Sequence, residues 1–314
     1  MLTSDIKCIE GVRSYCSNFV NQREWNKFHT PVNIALALNG EIGELSEIFQ
    51  WKGEFNTSND IDNMKILFND KEMINIGEEI SDVFIYTTRL SDLCNIDLAQ
   101  SVKLYLTSKE PIDINTFINC RKSTNEEKEK WETLTFDEIA SLIENSLNND
   151  NNVKDLNNVV LKSVSNAQSF LSLKSSLNTI KNQPRRLCLS LQNTAAKASS
   201  LFCVHQEKDS INGLNKWHQQ SVCELAISLA SIIVLLSLIS KAFGYSLGTC
   251  ITEKFNKNSA KYPVDKVKGS SAKYTHYQNM NQNKLLNKII NSKITLISIG
   301  IITGIILTRR FQKF

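Results

Sequence analysis

Two pairs of acidic residues recur at one spacing: Glu41 and Glu44, then Glu79 and Asp82, each three residues apart in a stretch of helical period. Residues so spaced share one face of a helix, so each pair presents two carboxylates side by side. If the two faces meet, four carboxylates converge, and such a cluster repels itself unless cations neutralise it. Hard oxygen ligands in that number suit magnesium, which keeps part of its water shell and completes it with phosphate oxygens. The chemistry such a site supports is hydrolysis of a phosphoryl group by a metal-held or carboxylate-oriented water, with the growing charge on the oxygens neutralised. Glu47 and Glu78 could stand at its edge. A solvated helix face lined by acids has the same spacing, and the residues alone leave both readings open.

The helices that must carry these acids are legible. Residues 5–28 read as an amphipathic helix through Ile6, Ile9, Val12, Cys16 and Phe19. Pro31 suits the first turn of a second helix, which keeps its period to Trp51. Gly40 and Gly43 inside it each cost about 1 kcal/mol of propensity, which suggests a neighbouring helix or ligand close by. A polar stretch, 53–62, precedes a third helix over 71–94, and a short loop at Asn95 leads to a fourth near 97–108, giving an antiparallel helical unit. The segment 111–157 is rich in Asn, Lys and Glu and reads as a low-complexity linker with one marginal helix in WETLTFDEIASLIE. Helical pattern then resumes at Val159 and passes Pro184.

Two apolar runs raise the question of a membrane. Residues 222–243 are long enough to span one, but the internal comparison below assigns them to the centre of a bundle. The run 294–308, between Lys293 and a basic RRFQK, covers only about 22 Å as a helix. It reads as a short transmembrane tail anchor with snorkelling flanks, or else as a docking helix or strand. Gly300 and Gly304 in it form a weak helix-pairing face.

The chain repeats itself. PVNIALALNGEIGELSEIFQW (31–51) lies over PRRLCLSLQNTAAKASSLFCV (184–204) without a gap, matching Pro31 to Pro184, Leu36 to Leu189 and Phe49 to Phe202. EISDVFIYTTRLSDLCNIDL (79–98) lies over SLASIIVLLSLISKAFGYSL (228–247). All four acids vanish in the second copy: Glu41 and Glu44 stand against Thr194 and Lys197, and Glu79 and Asp82 against Ser228 and Ser231.

FHTPVNIALALNGEIGELSEIFQWKGE followed by EEISDVFIYTTRLSDLCNIDL resembles the all-helical MazG-like nucleoside triphosphate pyrophosphatases, and among them the dCTP pyrophosphatase branch, over about residues 19–104. The C-terminal signature of that branch appears only in the second half, as EKFNKNSAKYPVDKVKGSSAKYTHY, 253–277. The resemblance implies that Glu41, Glu44, Glu79 and Asp82 ligate Mg2+. The implied reaction cleaves a deoxycytidine-type triphosphate between its α and β phosphates, giving the monophosphate and pyrophosphate. It also implies that Trp25 and His29 lie near the nucleotide and that Trp51 and Tyr86 shape the base pocket or its wall. Without the family, His29 reads as a helix-start residue with no ligand, Trp51 as a core or interface aromatic and Tyr86 as a packed side chain.

The departures are informative. The family lysine at the start of the C-terminal signature is present as Lys254, whereas the equivalent first-copy residue is Tyr105. Lys261, Tyr262, Lys268, Gly269, Lys273 and Tyr274 have no first-copy counterpart. Acids survive in one copy and bases in the other. Family members complete their sites with helices from neighbouring protomers, so the fused halves are expected to form a pseudo-dimer with one composite site. Lys254, Lys261 and Lys268 would face triphosphate there, with Tyr262 and Lys273 among the nucleotide-binding residues. In the alternative, the second half only packs and its lysines are solvated. A homodimer of the whole chain, giving a pseudo-tetramer, is left open.

Composition bounds the rest. With 314 residues, 41% hydrophobic and 22% charged, the chain folds, and four prolines and eleven glycines are sparse for an all-β architecture. The net charge of +4 divides into 10 Lys and Arg against 17 Asp and Glu over residues 1–110, and 26 against 15 thereafter. A front section at -7 argues against a nucleic-acid surface there. Eight scattered cysteines read as buried thiols in a reducing compartment, and no signal peptide is evident. The expectation is an all-α tandem of antiparallel bundles: a catalytic half over 1–110, the linker 111–157, a degenerate half over 158–280 and the tail 294–308. The expected role is nucleotide-pool sanitation on the cytosolic side of the mitochondrial outer membrane or endoplasmic reticulum, with a membrane-tethered scaffold or regulator lacking useful turnover as the rival.

Overall fold

The computed structural model describes residues 4–57, 64, 66–108, 116–117, 120, 133–149, 177–211 and 213–270. The first four helices begin where side chains satisfy the free N–H groups of a first turn. Helix α1 (Ile9–Gln22) is capped by Cys8, and α2 (Pro31–Phe49) by Thr30, whose hydroxyl accepts from the Asn33 amide with Pro31 in the first turn. Helix α3 (Asp70–Leu93) opens with a capping box between Asn69 and Glu72, and α4 (Leu98–Thr107) with Asp97 accepting from the Gln100 amide. Then come α5 (Phe136–Asn149), α6 (Pro184–Val204), α7 (Gln219–Ala242), α8 (Leu247–Lys261) and the short α9 (Val264–Val267). The fold is all-α; the described residues hold no strand beyond an isolated bridge between Cys8 and Thr135.

Two helix clusters repeat one plan. Helices α3 and α7 each run 24 residues. Both stop at a left-handed residue, Asn95 (φ 54°) and Gly244 (φ 70°), and both turns close by the same bond: Ile96 N–H to Ser91 O and Tyr245 N–H to Ser240 O, each 2.9 Å. Helix α2 packs on α3 and α6 on α7, while α2 meets α6 and α3 meets α7, so four helices share one core. The fourth helices cross over: α4 lies on α7, and α8 lies on α3. Ahead of the units, Ile9 N–H bonds Leu134 O at 3.2 Å and Phe136 N–H bonds Lys7 O at 3.0 Å, a reciprocal pair such as a twofold relation between the segments before α1 and α5 produces.

The segment 111–157, expected as a linker with a marginal helix, contains α5, which packs on α4 and α7 with Ile139, Ile143 and Leu147 buried. Helix α7 is long and apolar enough to cross a membrane, but its most apolar stretch is wholly buried against the other helices. Its place is therefore the bundle centre. The run 294–308 lies outside the described residues. Of the helix or ligand expected beside Gly40 and Gly43, no helix comes close among the described residues: a methyl at either position would meet nothing within 4 Å. Close approach occurs instead at Gly248, where an added methyl would stand 2.5 Å from Ile6 O, so α8 fits tightly against the chain before α1. All eight cysteines are free thiols; Cys16, Cys94, Cys120, Cys188 and Cys223 are buried and Cys203 is exposed.

Candidate active site

Glu41 on α2 and Glu79 and Asp82 on α3 converge, each offering a carboxylate oxygen such that the three lie within 4.8 Å of one another. The contact between α2 and α3 does this, because Leu38, Ile42 and Leu45 on one helix and Ile76, Ile80 and Val83 on the other fill the core and fix which faces meet. Glu44 stays outside the triad, exposed one turn along α2, though its charge still reaches Glu41 and Glu79. Burial, then the neighbouring Asp82, pushes the Glu41 carboxyl up to about 8. The same two causes push Glu79 up to about 7, and burial raises Asp82 against the pull of Lys254.

The second half supplies the opposing charge. Lys254 projects from α8 onto α3, bonds Asp82 directly and stands 3.6 Å from Glu78. Burial works against its charge, but Asp82, Glu79 and Glu78 outweigh that and hold its pKa above the ordinary lysine value. One turn on, Lys257 bonds Glu78 at 2.5 Å. Further contacts tie the halves around this point: Arg23 Nε donates to Tyr262 O at 2.8 Å, Trp25 Nε1 to Val267 O at 3.3 Å, and the Tyr15 ring packs at a tilt on Phe255 with centroids 4.4 Å apart.

Beside the acids opens a cavity of about 310 Å³, walled by α1, the α1–α2 loop, α2, α3 and α8. Its polar end holds Glu41, Asp82, Lys254 and Lys261; its other end holds Cys16, Phe19, Trp25, Phe28, His29 and Arg89, with Tyr86 and Tyr262 also in the wall. Trp25 meets Tyr262 edge-on at 5.4 Å. Burial and then Arg89 lower His29 to about 4, so its imidazole is neutral, and its Nδ1 is buried without a partner. Burial, with Glu41 and Asp82, holds the Tyr86 hydroxyl well above its ordinary pKa and therefore protonated.

Of the residues read from sequence, Trp25, His29, Glu41, Asp82, Tyr86, Lys254, Lys261 and Tyr262 line this cavity, and Glu79 joins the carboxylate triad. Trp51 does not join them. Helix α2 ends at Phe49, and the Trp51 side chain stands 86% exposed beyond it. Lys268 also lies apart, paired with Glu24 at 3.1 Å, and Lys273 falls outside the described residues. Arg89 was missed by sequence reasoning, although its spacing from Asp82 and Tyr86 puts it on the same stripe of α3.

The donor set fits a hard divalent cation such as Mg2+: three carboxylates reach one point, and the Oε2 of Glu79 is buried with no partner among the described residues. Lys254 carries part of the neutralisation that such an ion would complete.

No family model and no solved structure matches the chain. Curated relatives do: dCTP pyrophosphatase 1 of Mus musculus is 40% identical over 94 residues, that of Rattus norvegicus 39% over 94, and that of Homo sapiens 38% over 96. Each match takes in 30% of this chain and 52% of the relative, so the chain spans about half the length of the curated relatives it matches. One module of the chain is therefore similar to dCTP pyrophosphatase 1, and the similarity does not extend over the duplicated whole.

Proposed function

We propose that the chain is a magnesium-dependent nucleoside triphosphate pyrophosphatase that hydrolyses dCTP-like nucleotides to the monophosphate and pyrophosphate. The observation that carries this is the meeting of Glu41, Glu79 and Asp82 with Lys254 at the polar end of a cavity whose other end is aromatic and uncharged apart from Arg89. A bound Mg2+ would supply charge neutralisation on the phosphate oxygens and a more acidic water. Glu41, Glu79 and Asp82 would hold it, with Glu44 contributing from the rim. Lys254 and Lys261 serve as point charges for the phosphates, which the acidic first half cannot provide. A carboxylate of the cluster would orient the attacking water while the α–β phosphate linkage breaks. Trp25, His29, Tyr86 and Tyr262 would enclose the nucleoside.

On this reading the two halves form a pseudo-dimer with one composite site, the second half having lost its acids. The run 294–308 would tether the enzyme to a membrane facing the cytosol, where it removes unwanted triphosphates from the nucleotide pool. The test is pyrophosphate release by the full chain across deoxy- and ribonucleoside triphosphates, with and without Mg2+, beside Glu41→Gln and Lys261→Ala. Mg2+-dependent turnover of dCTP, abolished by Glu41→Gln and weakened by Lys261→Ala, is expected. Turnover untouched by Lys261→Ala removes that lysine from the site. A folded chain that turns over no triphosphate would replace the enzyme with a tethered scaffold or regulator.

A further inference from the structure

Arg89 is a buried arginine at the aromatic end of the cavity, 5% exposed, in a wall otherwise made of apolar and neutral groups. Two of its nitrogens are committed: Nη1 donates to Asp92 Oδ2 at 2.7 Å and Nη2 to Asn26 Oδ1 at 2.9 Å. Asp92 is held in turn by Arg13 at 3.1 Å. The guanidinium is thus fixed from α3 and from the α1–α2 loop, with its charge balanced by Asp92. Its Nε–H is buried with no partner among the described residues. An unpaired buried donor is costly, and a rigid donor of this kind is what a binding site uses to select a ligand acceptor.

Seven residues separate Asp82 from Arg89, a rise of about 10 Å along one face of α3. That length places a sugar between a phosphate held at the acids and a base ring lying against Arg89. Two of its five N–H groups are engaged and Nε is the one nitrogen without a partner; with the charge already met by Asp92, a neutral carbonyl suits that N–H better than a phosphate does. We infer that Arg89 is a specificity-determining residue that reads the nucleobase, donating its Nε–H to the ring carbonyl of a pyrimidine, the 2-carbonyl in the case of cytosine. The neighbouring orphan, His29 Nδ1, lies within the same wall and gives a second polar point on the base edge. The inference rests on the nucleotide reading of the cavity but not on turnover.

The test is calorimetric binding of dCMP and of 2-thio-dCMP to the full chain and to Arg89→Met, since sulfur is a poor acceptor in place of oxygen. The wild-type chain is expected to bind dCMP about 10- to 100-fold more tightly than the thio analogue, and Arg89→Met to bind both equally weakly. Equal wild-type affinities, no binding of dCMP, or an undiminished preference in folded Arg89→Met would overturn the inference. The wild-type comparison decides even where Arg89→Met does not fold. A dCMP preference in a chain that hydrolyses no triphosphate leaves the base reader standing and removes the pyrophosphatase; turnover without the preference does the reverse.

Discussion

The crossing of α8 on α3 and that of α4 on α7 are built alike and have opposite contents. Where the first holds Glu41, Glu79, Asp82 and Lys254, the second holds Thr194, Ser228, Ser231 and Tyr105, all buried. The hydroxyls of Thr194 and Ser228 turn back on their own helices, each bonding at 2.8 Å the carbonyl four residues earlier. Leu235 and Leu238, both buried, occupy the register of Tyr86 and Arg89. One site remains open and charged, and its counterpart has closed into core. Losing four acids removes a standing repulsion, and burying α7 adds apolar area; the open site keeps unfavourable charges, a cost that the proposed phosphate chemistry would explain.

Returning an acid to the closed side gives the largest effect. Ser231→Asp puts a carboxylate in the register of Asp82 on the buried face of α7, where the residue in the register of Lys254 is Tyr105, and the expected loss is about 3–5 kcal/mol of unfolding free energy in denaturant titration. A loss below about 1 kcal/mol would mean that water reaches this crossing and that it is not sealed.

Removing an acid from the open side should act in the other direction on stability. Glu79→Gln is expected to lower pyrophosphate release about 10²- to 10³-fold, and to leave the metal-free protein more stable by about 0.5–2 kcal/mol. Unchanged turnover would dissociate the carboxylate triad from the chemistry.

The pH dependence of the metal-free protein follows from the same charges. The Glu41 and Glu79 carboxyls take up protons more readily folded than unfolded, with values of about 8 and about 7 against an ordinary 4.5. Their contribution to stability is therefore fully present below about pH 4.5 and is lost as pH rises through 7 and 8. Lys254, held above its ordinary value, stays charged throughout this window and does not reverse the trend. Thermal melts from pH 6 to 9 are expected to fall by about 2–4 °C per kcal/mol lost, and added Mg2+ to flatten the slope. A metal-free midpoint that rises over this window would show that the triad is not crowded.

Much of this contrast was legible in the sequence. Pro31 and Pro184, the acid spacings and the gapless overlay set out two copies with one charged, because periodicity, helix starts and charge are local properties. The crossing of α4 and α8 was not, since nothing in LAQSVKLYLT or LGTCITEKFNKNSAK states which unit it will cover. Glu44 shared the spacing of Glu41, yet the packing of α2 on α3 turns it outward. Arg89 sat in view at the right spacing, but burial of an arginine depends on Asp92 and Asn26, the latter 63 residues away in sequence. Helix α5 was legible only as a marginal helix in a linker, because only Ile139, Ile143 and Leu147 in it are buried, with Phe136 and Leu142 packed at the edge of the core.

The smallest effect is expected at Trp51, which has the same contrast in reverse, since this aromatic of the first copy and its counterpart Val204 are both exposed, at 86% and 77%. A side chain that leaves little surface buried stabilises little, so Trp51→Ala should alter unfolding free energy by no more than about 0.5 kcal/mol. The ring lies beyond the end of α2, outside the cavity wall, so dCMP affinity in the isolated chain should also hold. Calorimetry at increasing protein concentration checks both parts. A loss of affinity in the isolated chain would bring Trp51 into its own site by movement of the 50–57 segment. A loss that grows with concentration would put the ring in a neighbouring chain's site, and the open face of α2 around Leu36, Gly40 and Gly43 would then be where two chains meet.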